Sequence, residues 1–325
     1  MESGSAARLR ISPVIFKWIL KMKNLSSQID VVKADLVIFN REYHDFMKAA
    51  GFDSFEPIYS YHDGEVVKKI RDRSVIRIEI PNPGAGENQV KRFYLKKSNR
   101  EYIGIRSIFK PLFPNRICSQ GRLEFENIRV FRESDLATAA PVAAGQKFIR
   151  FLWAESFVIT EDFFPFISLE DLLRETPEFF EGPDGTRKKK ILIEKMGRLA
   201  RKMHQSGLNH RDFNSNHILL RYDKKSDTPE IALFDLNRVN RRKFFRFRWV
   251  IKSLAELNYT LPDTLFSEND RIALFLSYKF KGNPPAPEQV KLNLWDRIQL
   301  FWIRRKAARI KRHTEKSNIL KRLKV

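Results

Sequence analysis

The chain has 325 residues and a formal net charge of +22 at neutral pH. Apolar residues make up 42 % of it, which is enough for a packed core and excludes wholesale disorder. The single cysteine, Cys118, excludes a disulfide scaffold and a cysteine-rich zinc site, and it is typical of a reducing compartment. A surface this basic attracts polyanions such as anionic lipid, phosphorylated sugars, nucleic acid or acidic proteins.

The N-terminal segment is basic, and no apolar run in the chain approaches the roughly 20 residues that span a bilayer. The stretch 7–24 lacks the uncharged core and the small-residue cleavage site of a signal peptide, so a surface helix is predicted there. Residues 35–52 have apolar side chains at helical spacing and stop at Gly51. Residues 1–57 are therefore predicted to form a loosely attached helical extension.

The next hundred residues alternate between strand patterns and one helical pattern. Strands are predicted at 64–70, 75–80, 90–97, 147–153 and 155–164, with a tight turn at Arg71–Ser74 and a helix at 119–134. From Leu169 onward the pattern is mostly helical. Five strands around one helix, followed by a helical half, exclude a doubly wound sheet. We expect an α+β fold with an N-lobe at 58–162 and a C-lobe at 163–325.

A polar loop with two histidines interrupts the helical half. It reads "NHRDFNSNHILL" and covers residues 209–220. Its apolar end and the later "EIALF" flank a turn-rich segment, which predicts an antiparallel hairpin. A hairpin returns the chain to its starting end, so Asp212 and Asp235 are expected to lie close together. Two such carboxylates can divide the work of holding a metal and accepting a proton.

These motifs resemble those of protein kinases. The triplet 210–212 is the His-Arg-Asp of a kinase catalytic loop, and "DLN" at 235–237 stands where kinases carry Asp-Phe-Gly. The run "FYLK" at 93–96 is similar to the kinase Val-Ala-Ile-Lys. With "LEFEN" at 123–127 and "FDLNRV" at 234–239, residues 50–260 resemble the bacterial lipopolysaccharide kinases that phosphorylate core heptose or Kdo sugars. The resemblance implies a two-lobed protein-kinase-like fold, with a small antiparallel sheet lobe carrying one key helix and a larger, mainly helical lobe.

The resemblance also implies roles for individual residues. Asp212 would be the catalytic base, and Asp235 would bind the metal ions of ATP. His217 stands where most kinases have a metal-binding asparagine, and imidazole is a poorer ligand for Mg²⁺ than an amide oxygen. Either His217 or the neighbouring Asn216 is therefore expected to complete the site, with ATP and Mg²⁺ as cofactors and Mn²⁺ as the alternative metal.

The resemblance implies that a lysine and a glutamate hold the phosphates, and Lys96, the lysine of the run at 93–96, is the predicted phosphate ligand. Side chains alternate along a strand, so Lys97 points to the opposite face. In the helix 119–134, Glu124 projects from the apolar stripe, whereas Glu126 and Glu133 point toward water. A carboxylate on a buried face needs a cationic partner, and Lys96 is the candidate. Lys97 is the alternative, as a solvated lysine.

Two features depart from protein kinases. The turn "RDRS" at 71–74 has no glycine where a Gly-rich loop is expected, so Arg71 and Arg73 either contact phosphate as cations or form an ordinary charged turn. No Ala-Pro-Glu segment follows Asp235, which favours a small-molecule or glycolipid acceptor over a protein.

The C-terminal half is strongly basic. Residues 238–252 carry seven Lys or Arg and no acid, and the tail from Trp295 carries eleven against two acids. The tail has apolar residues at helical spacing, including Leu294, Ile298, Phe301 and Trp302, and predicts an amphipathic cationic helix. This helix either contacts an anionic membrane surface or packs on the domain with a solvated charged face. Nucleic acid is the competing polyanion, but no nucleic-acid-binding motif is present.

The resulting hypothesis is an ATP-dependent kinase for a sugar hydroxyl of the lipopolysaccharide core. Its partners would be the lipopolysaccharide core or a lipid-A precursor and an anionic membrane, and it would be cytoplasmic and peripheral on the inner membrane. The alternatives are a kinase-like enzyme acting on proteins or small metabolites, a pseudokinase that binds a membrane or an acidic partner, and an RNA-binding protein.

Overall fold

The computed structural model describes residues 29–322, except 35, 82–89, 104–118, 151, 223–227, 242–245 and 283. The surface helix predicted within 7–24 and the single cysteine lie outside the described residues. Of the helices in the described ranges, none combines the length and apolar character needed to cross a bilayer.

Seven antiparallel strands form the sheet of the smaller lobe, in the spatial order β1-β2-β6-β7-β5-β4-β3. The strands are β1 (Val31–Ala34), β2 (Val37–Asn40), β3 (Glu65–Ile70), β4 (Arg73–Pro81), β5 (Val90–Tyr102), β6 (Pro141–Arg150) and β7 (Trp153–Glu161). Two short helices, α1 (Arg41–Ala49) and α2 (Phe55–Ser60), precede β3.

The prediction of a loosely attached helix over residues 35–52 is wrong in its first part. Residues 31–34 and 37–40 form two paired strands that extend the sheet from five strands to seven. The run "VIFN" is buried at every position, and a short continuous apolar run fits a buried strand as well as a helix. Helix α1 begins at Arg41, where the Asn40 side chain caps it, and Tyr43 and Met47 are buried against the sheet.

Two other predicted bounds also differ. Strand β6 begins at Pro141 rather than at 147. The sequence did not predict its first half, because that half consists mainly of small residues without a strand pattern. The turn between β3 and β4 spans only Arg71 and Asp72, since Arg73 already pairs with Ile70.

Helix α3 (Gln120–Glu133) lies between the two lobes, within one residue at each end of the predicted helix. Phe125 packs on the sheet with Val158, whereas Ile128 and Phe131 belong to the core of the larger lobe. At Gly121, a Cβ atom would lie 2.4 Å from the Phe157 carbonyl oxygen, so only glycine permits this close approach. Helix α3 is thus fixed against both lobes.

The larger lobe consists of helices around the hairpin predicted from the polar loop. The helices are α4 (Leu169–Glu175), α5 (Gly182–Gln205), α6 (Phe247–Thr260), α7 (Glu268–Lys279) and α8 (Leu294–Arg322). The strands are β8 (Ile167–Ser168), β9 (Leu208–His210), β10 (Ile218–Arg221), β11 (Glu230–Leu233) and β12 (Val239–Arg241). β8, β10 and β11 form one small sheet, and β9 pairs with β12. The predicted two-lobed α+β fold is confirmed; the division at 57 and 162 stays a prediction.

Candidate active site

Lys96 lies on β5 and points toward helix α3. Its Nζ is 2.7 Å from Oε1 of Glu124, which is 3 % exposed. Lys97 points to the other face, where its Nζ donates to the carbonyl oxygens of Tyr59 and Tyr61 at 3.0 and 2.7 Å. The strand alternation and the helical periodicity therefore place the expected lysine and glutamate in contact.

Asp235 joins this pair from the larger lobe. Its Oδ1 is 3.3 Å from Lys96 Nζ, so one ammonium contacts two carboxylates. The backbone of Asp235 is left-handed, with φ of 56°, a conformation that aspartate adopts more readily than most residues. The next residue, Leu236, accepts a hydrogen bond of 2.6 Å from the buried Asn127 of α3. The same helix therefore carries Glu124 and holds the segment that carries Asp235.

The β10–β11 hairpin and two histidines place Asp212 at the same end. The backbone N–H of Phe234, beside Asp235, donates to the His217 carbonyl oxygen at 3.2 Å. His210 Nδ1 accepts from the Asp212 N–H at 3.1 Å, so its Nε2 carries the proton and donates to the Phe234 carbonyl oxygen at 3.1 Å. The predicted hairpin is present, and buried His210 braces the loop.

Arg238 is a site residue that the sequence reasoning missed. Its guanidinium Nη1 lies 2.9 and 3.0 Å from the two carboxylate oxygens of Asp212. Its carbonyl oxygen accepts the Arg211 N–H at 2.9 Å, which ties the loop to the segment after Asp235. In the sequence Arg238 is one of seven basic residues at 238–252, and only the β9–β12 pairing distinguishes it.

The charges of the cluster support one another. Burial alone lowers the pKa of Lys96, but Glu124 and Asp235 outweigh it, and the net pKa lies above the ordinary value. Burial alone raises the pKa of Asp235, but Lys96 and His217 hold it below the ordinary range. Burial lowers the pKa of His210 to about 4, so its imidazole is neutral at pH 7. The site thus presents an ionised carboxylate and an ammonium at neutral pH.

Two of the predicted metal ligands lie near one another. His217 Nε2 is 3.8 Å from Asp235 Oδ2. The Asp212 carbonyl oxygen can only accept, so His217 Nδ1 donates to it at 2.8 Å, and the other ring nitrogen, Nε2, faces Asp235. Asn216 is exposed, and no hydrogen bond among the described residues joins it to Asp235 or Asp212.

The donor set fits a nucleotide-bound metal rather than a metal held by protein alone. The described part of the chain contains no group of three or more His, Cys, Asp or Glu arranged around a metal position. Mg²⁺ in kinase sites is commonly held by one or two carboxylates together with phosphate oxygens and water. The Asp235 carboxylate is a ligand of that kind, and the His217 imidazole lies beside it.

A cavity of about 260 Å³ opens beside these groups. Lys96, Glu124 and Asp235 line one side, and Lys68 and Arg73 from the β3–β4 hairpin line another. Arg71 is exposed in the turn itself, with φ of 47°. Cationic side chains therefore border the position where kinases present a glycine-rich loop.

The predicted cationic C-terminal helix is present as α8, but the residues expected on its apolar face differ. Leu300 and Ile303 are buried in the core of the larger lobe, whereas Phe301 and Trp302 are 54 % and 44 % exposed. The helix thus packs on the domain and also leaves aromatic rings among its arginines.

Comparisons with known proteins agree with this geometry. Residues 61–278 match the family described as lipopolysaccharide kinase (Kdo/WaaP). The chain is 30 % identical to the lipopolysaccharide core heptose(I) kinase WaaP of Pseudomonas aeruginosa over 231 residues, 70 % of this chain and 81 % of that protein. It is 28 % identical to the protein of the same name from Escherichia coli (strain K12), over 83 % of this chain and 95 % of that one.

A solved structure is similar as well. It is titled WaaP in complex with acyl carrier protein, and it shares 26 % identity and a TM-score of 0.60 over 81 % of this chain and 95 % of the other. The predicted chemistry, phosphotransfer to a sugar hydroxyl of the lipopolysaccharide core, is confirmed, and membership of a kinase family implies the use of ATP. The chain belongs to the lipopolysaccharide kinase (Kdo/WaaP) family.

Proposed function

We propose that this enzyme transfers the γ-phosphoryl group of ATP to a hydroxyl of a heptose in the lipopolysaccharide core, with Mg²⁺ as the metal. The observation that carries the proposal is the contact of Lys96 with both Glu124 and Asp235, at 2.7 and 3.3 Å, beside the end of the hairpin that holds Asp212. Phosphoryl transfer depends mainly on positioning and charge neutralisation, which such a constellation supplies.

Each residue has a distinct role in the proposal. Lys96, oriented by Glu124, contacts the α- and β-phosphates, while Asp235 and His217 hold the metal. A divalent ion bound there neutralises charge on the phosphate oxygens. Asp212 accepts the proton of the attacking hydroxyl as the new O–P bond forms and the bond from the γ-phosphorus to ADP breaks. His217, which uses Nδ1 to bind the loop and Nε2 for the metal, also makes Mn²⁺ an acceptable substitute.

Arg238 places a positive charge beside Asp212, the proposed catalytic base. Its guanidinium contacts both oxygens of Asp212, so it orients the carboxylate toward the acceptor.

A transfer assay with γ-labelled ATP tests the acceptor. The panel contains lipopolysaccharide core stripped of phosphate, a generic protein substrate and free heptose. We expect label in the core alone and require mass spectrometry to place it on a heptose. Label in the protein would favour the protein-kinase alternative. No transfer, together with no thermal stabilisation by ATP and Mg²⁺, would favour the pseudokinase alternative.

We also propose that the enzyme works at the cytoplasmic face of the inner membrane. Exposed Phe301 and Trp302 lie among arginines on α8, a pattern typical of helices at anionic lipid surfaces. The same basic face would suit an acidic protein, and the similar solved structure contains an acyl carrier protein. Co-sedimentation with anionic vesicles, with and without acyl carrier protein, separates the two. Pelleting that Phe301→Ser abolishes supports the membrane, and retention of the chain only on immobilised carrier protein contradicts it.

A further inference from the structure

A second and larger cavity lies beside the catalytic loop, away from the proposed nucleotide site. Its volume is about 760 Å³, within the range of roughly 300–1,000 Å³ typical of ligand sites. It opens between α6 and α8, which pack against each other, and the β9–β12 ribbon contributes to its wall. None of the catalytic or nucleotide-binding roles assigned above uses this cavity.

The cavity is cationic. Five basic side chains line it, and its described lining includes no acidic one: Arg211, Arg248, Lys252, Lys306 and Arg309. Lys252 is partly neutralised by Glu256 at 3.4 Å and donates to the Arg211 carbonyl oxygen at 2.5 Å. Among the described residues, Arg248, Lys306 and Arg309 have no carboxylate partner. Like charges gathered in a concave site raise the local concentration of anions.

The same cavity offers two indole rings. Trp302, Lys306 and Arg309 stand four and seven residues apart on α8, so they share one stripe of the helix. Trp249 on α6 also contributes to the wall. Flat aromatic faces beside charged hydrogen-bond donors suit a sugar ring that carries an anionic group.

Its position relates the cavity to the reaction. Arg211 directly precedes Asp212, and successive Cα atoms lie about 3.8 Å apart. A ligand bound against Arg211 is therefore a near neighbour of the hydroxyl that Asp212 would deprotonate. Since the Lys252 contact fixes the Arg211 carbonyl, the wall of the cavity and the loop are held as one unit.

We propose that this cavity binds an anionic sugar of the acceptor, next to the sugar that is phosphorylated. Its carboxylate or phosphate is recognised by Arg248 and Lys306, and its ring packs on Trp302. The inference rests on the proposed function, because it assigns the acceptor's orientation at the same site.

The test uses soluble, deacylated core oligosaccharide, so membrane binding plays no part. The cavity variant is Arg248→Ala with Lys306→Ala. The control variant is Lys190→Ala with Arg312→Ala, which removes the same two charges from exposed positions outside the cavity. We expect the cavity variant to raise the KM for the oligosaccharide roughly tenfold or more, with the KM for ATP unchanged, and the control variant to match the wild type.

Modified acceptors identify the anion. Carboxyl-reduced and dephosphorylated oligosaccharides are assayed separately. The anionic group that the cavity binds is the one whose removal raises the KM of the wild type but not that of the cavity variant. Equal KM values for wild type and cavity variant, or equal sensitivity of both to every modification, would overturn the proposal. If no transfer occurs, calorimetry measures the Kd of the oligosaccharide for the wild type and the cavity variant instead. A weaker Kd in the cavity variant would then support the binding site even if the proposed kinase activity were wrong.

Discussion

Replacing Lys96 with methionine should destabilise the protein more than replacing its partner Glu124 with glutamine. In Lys96→Met, the Glu124 carboxylate stays 3 % exposed and has no other cation or hydrogen-bond donor among the described residues. Leaving a buried charge without its partner costs about 3–5 kcal/mol of the free energy of unfolding.

Replacing Glu124 instead leaves the Lys96 ammonium, which still has a carboxylate partner. In Glu124→Gln, the ammonium of Lys96 keeps its contact with Asp235 at 3.3 Å, its side chain is 25 % exposed, and an amide oxygen can still accept its hydrogen bond. We expect a loss of about 1–2 kcal/mol. The double variant removes both charges, so it should be more stable than Lys96→Met alone by about 1–3 kcal/mol.

Urea unfolding at pH 7.5, followed by tryptophan fluorescence, measures the free energy of unfolding of the three variants. At pH 5 the difference in this free energy between Lys96→Met and the double variant should be smaller, because the unpaired Glu124 carboxylate can then take up a proton. If Glu124→Gln were the more damaging single substitution, or if the double variant were the least stable of the three, the assignment of burial and partners would be wrong.

Three other consequences follow from particular contacts. Arg238→Gln removes the guanidinium that contacts Asp212 and should lower kcat roughly 10–100-fold in the transfer assay. An unchanged kcat would mean that Arg238 does not position Asp212, and a raised kcat would mean that it obstructs Asp212. Burial lowers the pKa of His204 to about 4, so the unfolded chain binds more protons between pH 6.5 and 4, and the stability that this histidine contributes is lost as pH falls. His204→Gln should therefore remove about 2 kcal/mol of the stability difference between pH 7 and pH 5 in urea titrations, and an unchanged difference would contradict it. Gly121→Ala forces a Cβ against the Phe157 carbonyl and should cost about 1–3 kcal/mol, which a thermal melt would reveal, whereas a neutral result would show that α3 can shift.

Local periodicity was sufficient to predict which of the candidate side chains lie close together. Strand alternation separates Lys96 from Lys97, the helical stripe selects Glu124, and the hairpin brings the end of β11 back to the polar loop. These features are set by residues close together in the chain, so they can be predicted from the sequence alone.

Features that depend on tertiary pairing were beyond the sequence. The run "VIFN" at 37–40 has no period that separates a buried strand from a helix, and only its pairing with β6 decides. Arg238 reaches Asp212 only because β9 pairs with β12, and the cavity beside Arg211 forms only where α6 packs on α8. Spacing also could not tell that Leu300 and Ile303, rather than Phe301 and Trp302, form the packed face of α8.

The most direct test of the central claim is the transfer rate of Asp212→Asn with lipopolysaccharide core as acceptor. The variant keeps the size of the side chain and the contacts of Lys96, Glu124 and Asp235, so ATP–Mg²⁺ should bind as in the wild type by calorimetry. Because the substitution removes the proposed general base, kcat should fall roughly 10²–10⁴-fold. A wild-type kcat in this variant, with ATP–Mg²⁺ binding intact, would show that Asp212 does not act on the acceptor. It would contradict the assignment of the cleft beside Lys96 and Asp235 as the active site.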